Sequence, residues 1–167
     1  MVSERLEAKL NELLNGELAA HYIYLQAAAW ASRKKLDGVK AFLLSHAAEE
    51  LAHMQRFFGF LDDLDAPISL KALPKPVIDS KGVRELFVRI QEEERAVSKA
   101  IVEASDLARG EHSYETEQFL QWFAAEQHDE EKLCRDILDK IDLIGEGPHS
   151  AYFIDKELAQ MAKGRQA

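Results

Sequence analysis

At 167 residues, 47% of them hydrophobic and 31% charged, the chain has the length of one globular domain with a substantial core, and its composition is neither disordered nor fibrous. A formal net charge of -9 argues against a nucleic-acid or anionic-membrane binder and favours cationic partners. No apolar run is long enough to span a bilayer, MVSERLEAKL lacks a signal-peptide core, and the lone Cys134 excludes an internal disulfide or a cysteine-based metal module, so a soluble cytoplasmic protein is expected with Cys134 as a small buried hydrophobe.

Four long segments carry helical periodicity and strand signals are absent, which predicts an all-α fold. The first segment runs to a break at Lys35-Leu36-Asp37-Gly38, and at alternating steps of four and three its seam reads Leu6, Leu10, Leu13, Glu17, Ala20, Tyr24, Ala27, Ala31. The second, with Asp37 as its expected N-cap, has the seam Leu43, Ala47, Glu50, Met54, Phe57, Leu61, Leu64. Pro67, Pro74 and Pro76 then mark an extended break from Ala66 to Ser80. About 15 residues at roughly 3.3 Å each reach ~50 Å, against ~42 Å for a helix of about 28 residues, so this linker can cross a whole bundle.

The third segment, with Asp79 or Ser80 as expected N-cap, reads Val83, Phe87, Ile90, Glu94, Val97, Ile101, Ala104, Ala108 and is expected to close near Gly110. The fourth, after Ser113, reads Thr116, Leu120, Phe123, Gln127, Glu130, Cys134, Ile137, Ile141 and is expected to end at Gly145. Beyond Gly147-Pro148, residues 149–162 are expected to form a short amphipathic helix packed on the bundle end or on a neighbour. The reading is one domain over residues 1–167: a four-helix bundle at about 4–144, a long crossover between helices two and three, and a short fifth helix.

Each seam is interrupted by polar residues near its midpoint, and reversing a helix leaves its midpoint in place, so the interruptions meet in one layer whatever the topology. Glu17 and Glu50 stand 33 residues apart, as do Glu94 and Gln127, and each pair is followed one turn on by His53 or Glu130. An ionised carboxylate in a core costs several kcal/mol unless compensated, and no Lys or Arg lies on a seam near this layer. Two divalent cations would neutralise four glutamates. Oxygen ligands with one imidazole and no thiolate suit iron or manganese better than structural zinc. His53 faces the same point as Glu50, one turn away. Gln127 is open between neutral ligand, hydrogen-bond donor and core polar residue, and Tyr24 lies where its hydroxyl could bond a ligand or simply fill the core. Glu49, Glu126 and Asp129 form a second acidic set to one side, while His21, His46, His128 and His149 show no comparable pairing and are taken as surface or packing residues.

The stretches NGELAAHYIYLQ, HAAEELAHMQRFF, EEERAVSKAI, QFLQWFAAEQHDEEK and YFIDKEL together resemble the ferritins, and most closely the non-haem bacterial ferritins, over nearly the whole chain. The resemblance implies that Glu17, Glu50 and His53 hold one iron, and that Glu50 bridges to a second held by Glu94 and Glu130 with Gln127 close by. It assigns Glu49, Glu126, Asp129 and Glu130 to a third, outer iron, with Asp129 standing where the family often has glutamate. Tyr24 matches a tyrosine implicated in electron or proton delivery. The activity implied is ferroxidation: Fe(II) is oxidised by O2 or H2O2 and deposited as ferric oxyhydroxide inside a homo-oligomeric shell of 24 copies, where Glu117 would be a pore residue. Bacterioferritins are the nearest alternative, but Gln127 and Glu130 stand where they repeat Glu-x-x-His, and Leu51 follows the bridging glutamate where their haem-ligating methionine would be, so no haem is expected. A miniature DNA-protecting relative would place its metal between subunits, and a rubrerythrin-like peroxidase would need a cysteine-rich module. A helical scaffold whose mid-layer polar groups only set register is the rival from outside metal chemistry.

Overall fold

The computed structural model describes residues 2–165. It has five helices, α1 Glu4–Arg33, α2 Asp37–Asp63, α3 Val83–Gly110, α4 Tyr114–Ile144 and α5 Ser150–Arg165, and among the described residues no strand. The short turns after Arg33 and Gly110 fold α1 with α2 and α3 with α4 into antiparallel hairpins. Both turns, and the end of α2, close on a non-glycine residue in the left-handed region: Lys35 (φ 61°), His112 (φ 58°) and Asp65 (φ 52°). Each is followed by a residue whose N–H reaches back to the last helical turn, as Leu36 does to Ala31 O and Ser113 to Ala108 O. Gly110 is therefore the last residue of α3 rather than its cap, whereas Gly145 caps α4 as expected, at φ 73°.

The expected N-caps fare less well. Ser113 holds the N-cap position of α4, but its hydroxyl pairs with Thr116 Oγ1 at 2.8 Å instead of a backbone N–H. Helix α3 starts after Gly82, with Ser80 turned inward and its carbonyl accepting from Trp30 Nε1 at 3.1 Å. At α2 the N-cap position belongs to Leu36, and Asp37 instead binds Lys40 at 2.9 Å. The missing cap comes from elsewhere: the Val39 N–H donates to Asp155 Oδ1 of α5 at 2.9 Å.

The crossover, residues 64–82, runs along α1 from its start to its end. Asn11 and Asn15, buried and one turn apart, act as an edge for it. Asn11 donates to Pro67 O and accepts from the Ser69 N–H, and Asn15 donates to Ser69 O and accepts from the Lys71 N–H, all at 2.7–2.9 Å. At full extension 19 residues reach roughly 60 Å, ample for the ~45 Å of a 30-residue helix. The seams read from the sequence face inward. Every position of the first and fourth is buried except half-buried Ala20, and on the others only Met54, Leu64 and Val97 are half-buried.

The core is not continuous. One apolar cluster gathers around Phe42, Phe87 and Ile137, the other around Leu10, Phe57 and Phe123. Between them lie Glu17, Glu50, His53, Glu94, Gln127 and Glu130, all buried. Helix α5 closes one end against α2 and α4. A Cβ on Gly38 would collide with the Asp155 carbonyl oxygen, so glycine is what lets α5 approach α2.

Candidate metal centre

Each of the four bundle helices sends polar groups into the layer because its seam positions point inward and the middle one is acidic or amidic. From the first hairpin, His53 Nδ1 lies 3.1 Å from Glu50 Oε2 and 3.6 Å from Glu17 Oε2, and the three side chains offer ligand atoms within 4.8 Å of one another. From the second, Glu94 accepts from Tyr24 Oη at 2.8 Å on one oxygen and from Gln127 Nε2 at 2.9 Å on the other. The Gln127 amide also donates to the Glu94 carbonyl at 3.2 Å, so Gln127 orients Glu94 and Tyr24 ties the two hairpins together across the layer.

Electrostatics bear the marks of buried like charges. Burial, reinforced by the nearby Glu17, raises the Glu50 carboxyl to about 7, against the opposing hydrogen bond from His53. Burial and the charge of Glu50 raise Glu94 to about 7 as well, although Gln127 and Tyr24 pull the other way. Burial alone would lower His53, but hydrogen bonds to Glu17 and Glu50 outweigh it and carry the imidazole up to about 10. Burial first, then the charges of Glu94 and Glu50, push the Tyr24 phenol well above its ordinary range, so it remains a donor. The charge of Glu50 thus bears on Glu94 and Tyr24 as well as on its own hairpin. Cys134 is buried beside this layer and pushed up to about 12, first by burial and then by Glu94, which makes it an unreactive thiol.

A second group joins Glu49 and Glu130, expected on the outer side of the layer, to a histidine that the seam pattern does not single out. His46, taken there as surface or packing, is 2% exposed and stacked on Phe42 with ring centroids 4.2 Å apart. Its Nδ1–H donates to Phe42 O at 3.2 Å, which directs Nε2 toward Glu130 Oε2 at 3.3 Å and Glu49 Oε2 at 3.9 Å. His46 lies four residues before Glu50, so helical spacing could have found it, but it is off the three-four seam. His21 is also engaged, its Nδ1–H donating to Ala47 O at 2.5 Å. Glu126 is half-buried and Asp129 exposed, and among the described residues neither joins a group as close as the other two. Exposed His128 and His149 fit the surface reading. Trp122, off the fourth seam, also packs here: its ring lies 5.7 Å from that of His53 in an edge contact, and the Arg56 guanidinium stacks over it at 3.7 Å. Glu117 is held by Arg109 Nε at 2.8 Å.

The donor set fits hard divalent cations. Among the described residues no Lys or Arg pairs with Glu17, Glu50 or Glu94, so their charge is met by protons, by His53 and by neutral donors. A pair of cations placed among four carboxylates and an imidazole would satisfy what the fold leaves frustrated.

Comparison with known proteins agrees with this chemistry. The family model for the ferritin-like domain matches residues 7–144. A bacterial non-heme ferritin of Escherichia coli is 38% identical over 96% of this chain and 98% of its own, and one of Campylobacter jejuni is 34% identical over 99% of each. Among solved structures, an open pore ferritin of the archaeon Archaeoglobus fulgidus superposes with a TM-score of 0.91 at 33% identity, covering 95% of this chain and 96% of that one. With a four-helix bundle, a full-length match and a buried carboxylate layer at its centre, the chain belongs to the ferritin family, alongside the bacterial non-haem ferritins.

Proposed function

We propose that the protein is an iron-storage ferroxidase acting as one domain, which binds Fe(II) as its substrate in the buried carboxylate layer. The single observation that carries this reading is the layer itself: four buried glutamates and a histidine dividing an otherwise apolar core, with two of the carboxyls raised to about 7. A scaffold would gain nothing from that arrangement, because replacing buried charge with apolar side chains is commonly neutral or stabilising. Glu17, Glu50 and His53 hold one Fe(II), and Glu50 bridges to a second held by Glu94 and Glu130. Gln127 and Tyr24 fix the orientation of Glu94 through the hydrogen bonds already described, and Tyr24, kept protonated, is placed to pass a proton into the layer. Glu49 and Glu130, joined by Glu126 and Asp129, take a third, outer iron; His46 holds Glu130 on that side.

In the oxidation, each of two Fe(II) gives up one electron, and dioxygen accepts the pair with two protons and leaves as H2O2; with H2O2 as oxidant the products are Fe(III) and water. Fe(III) then hydrolyses to ferric oxyhydroxide. Storage requires an enclosed volume, which family membership supports as a shell of 24 copies with no haem and no nucleic-acid partner, in the cytoplasm. Among the described residues no helix is long and apolar enough to cross a membrane.

The test is to add Fe(II) aerobically to the purified protein while following oxidation and native mass. Rapid oxidation with iron retained in a large assembly is expected, and Glu17→Ala with Glu50→Ala should abolish the rapid phase while leaving the assembly intact. Oxidation by a small monomer or dimer that retains no iron would point to a di-iron enzyme instead. An unchanged rate in the double variant would remove the layer from the reaction.

A further inference from the structure

The α1–α3 face holds a cavity of about 400 Å³. Its rim is exposed and carries Glu12, Gly16, Val77, Arg89 and Glu93. Its floor is the centre itself, for Glu17, Tyr24 and Glu94 line it. The walls between rim and floor are Leu13, Ala20, Ile23, Leu86, Ile90 and Val97, none with a side-chain nitrogen or oxygen, and the crossover at Pro76, Ile78 and Ser80 forms one edge, where the buried Ser80 hydroxyl is the single polar side-chain group between rim and floor. The cavity is thus a mainly apolar shaft running from the surface to two of the carboxylates and to the tyrosine.

Its chemistry selects what could use it. Fe(II) moves as a hydrated cation and would have to shed water along walls that offer no carboxylate and a single neutral hydroxyl, that of Ser80, in return. Hydrogen peroxide carries two hydroxyls, and between rim and floor only Ser80 offers a side-chain partner for them. Dioxygen is small and apolar, and apolar protein cavities stay dry and take up apolar guests, xenon among them. We propose that this shaft is the route by which dioxygen reaches the carboxylate layer, entering from the α1–α3 face on a path separate from that of Fe(II). The proposal rests on the ferroxidase reading and deepens it by assigning one of its two substrates an entrance.

Two experiments on the assembled, full-length protein test it. In crystals pressurised with xenon, density is expected among Leu13, Ile90 and Val97. In solution, Gly16→Leu and Ala20→Leu should narrow the shaft, and the space around a Cβ at Gly16, with nothing within 4 Å, leaves the α1 backbone undisturbed by the first atom of the new side chain. Both variants should show a several-fold lower kcat/KM for O2, with anaerobic Fe(II) binding and H2O2-driven oxidation unchanged. Gly59→Leu on α2, equally open at its Cβ, serves as a control and should change none of these. A shaft closed to xenon together with variants indifferent to O2 would overturn the route, as would a loss of Fe(II) binding that tracks the loss of O2 response. The two ideas fail separately: wild-type protein that takes up xenon but does not oxidise Fe(II) defeats the ferroxidase reading and leaves the cavity as found.

Discussion

At the scale of single residues, the layer is a set of titrating groups whose protons a bound metal would have to displace. Glu50 and Glu94, raised from 4.5 to about 7, keep protons in the folded state where an unfolded glutamate has lost them. His53, raised from 6.5 to about 10, does the same over a higher range. A raised pKa contributes stability that is full below the unfolded value and lost as pH rises through the folded one, so all three act in one direction. The unfolding midpoint of the metal-free protein should therefore fall as pH rises from about 5 to about 9, and Glu50→Gln with Glu94→Gln should flatten that fall. Calorimetry checks this, and a midpoint that climbs across the range would contradict it. For the same reason, binding of a redox-inert divalent cation such as Zn(II) at neutral pH should release protons, measurable as a buffer-dependent heat, with affinity rising as the carboxyls ionise. His46 shows how such a site escapes a residue-level reading: its position off the seam marks it as packing, and only the Phe42 carbonyl that fixes its tautomer reveals which way its Nε2 points.

At the scale of elements, the helices and the breaks between them were legible, and most of the groups that cap them were not. A periodic seam summed over a long helix averages out local noise, whereas a cap depends on one side chain whose partner can come from anywhere in the fold. Asp155 shows this, for it caps α2 from 116 residues away. Asp155→Ala should cost about 1 kcal/mol, and Gly38→Ala should cost more because the α5 backbone has no room to yield; hydrogen exchange in α5 should rise sharply in the second variant. The turn after α3 offers the opposite sign. Gly110 sits inside the helix with open space at its Cβ, while His112 occupies a left-handed conformation that glycine favours. Gly110→Ala and His112→Gly should each stabilise by about 0.5–1 kcal/mol, and denaturant unfolding showing a loss in either would refute the assignment of that turn.

At the scale of the whole molecule, the polar layer both divides the core and joins the hairpins. Glu17, Glu50 and His53 come from one hairpin, Glu94, Gln127 and Glu130 from the other, with Tyr24 to Glu94 a direct hydrogen bond between them. A cation held by both sides would fasten the bundle at its middle. Zn(II) should accordingly raise the unfolding midpoint in proportion to the logarithm of free metal, and Glu17→Ala with Glu50→Ala should remove most of that rise while making the metal-free protein no less stable. Thermal melts of both proteins across a metal titration decide it. A rise that survived the double substitution would place the stabilising metal elsewhere.

The sequence by itself determined the helices, their inward faces and the meeting of Glu17, Glu50, His53, Glu94, Gln127 and Glu130 in one layer. Those features depend on spacing along a single helix, and a regular rise and turn convert spacing into geometry without reference to anything distant. Tertiary structure decided the rest. The pairing of Asn11 and Asn15 with the crossover, the cap from Asp155, the placing of His46 against Glu130 and the shaft between α1 and α3 each depend on how far apart two elements lie and which atoms face across the gap. One-dimensional periodicity carries no information on that separation, because it is set by the packing of all the side chains at once.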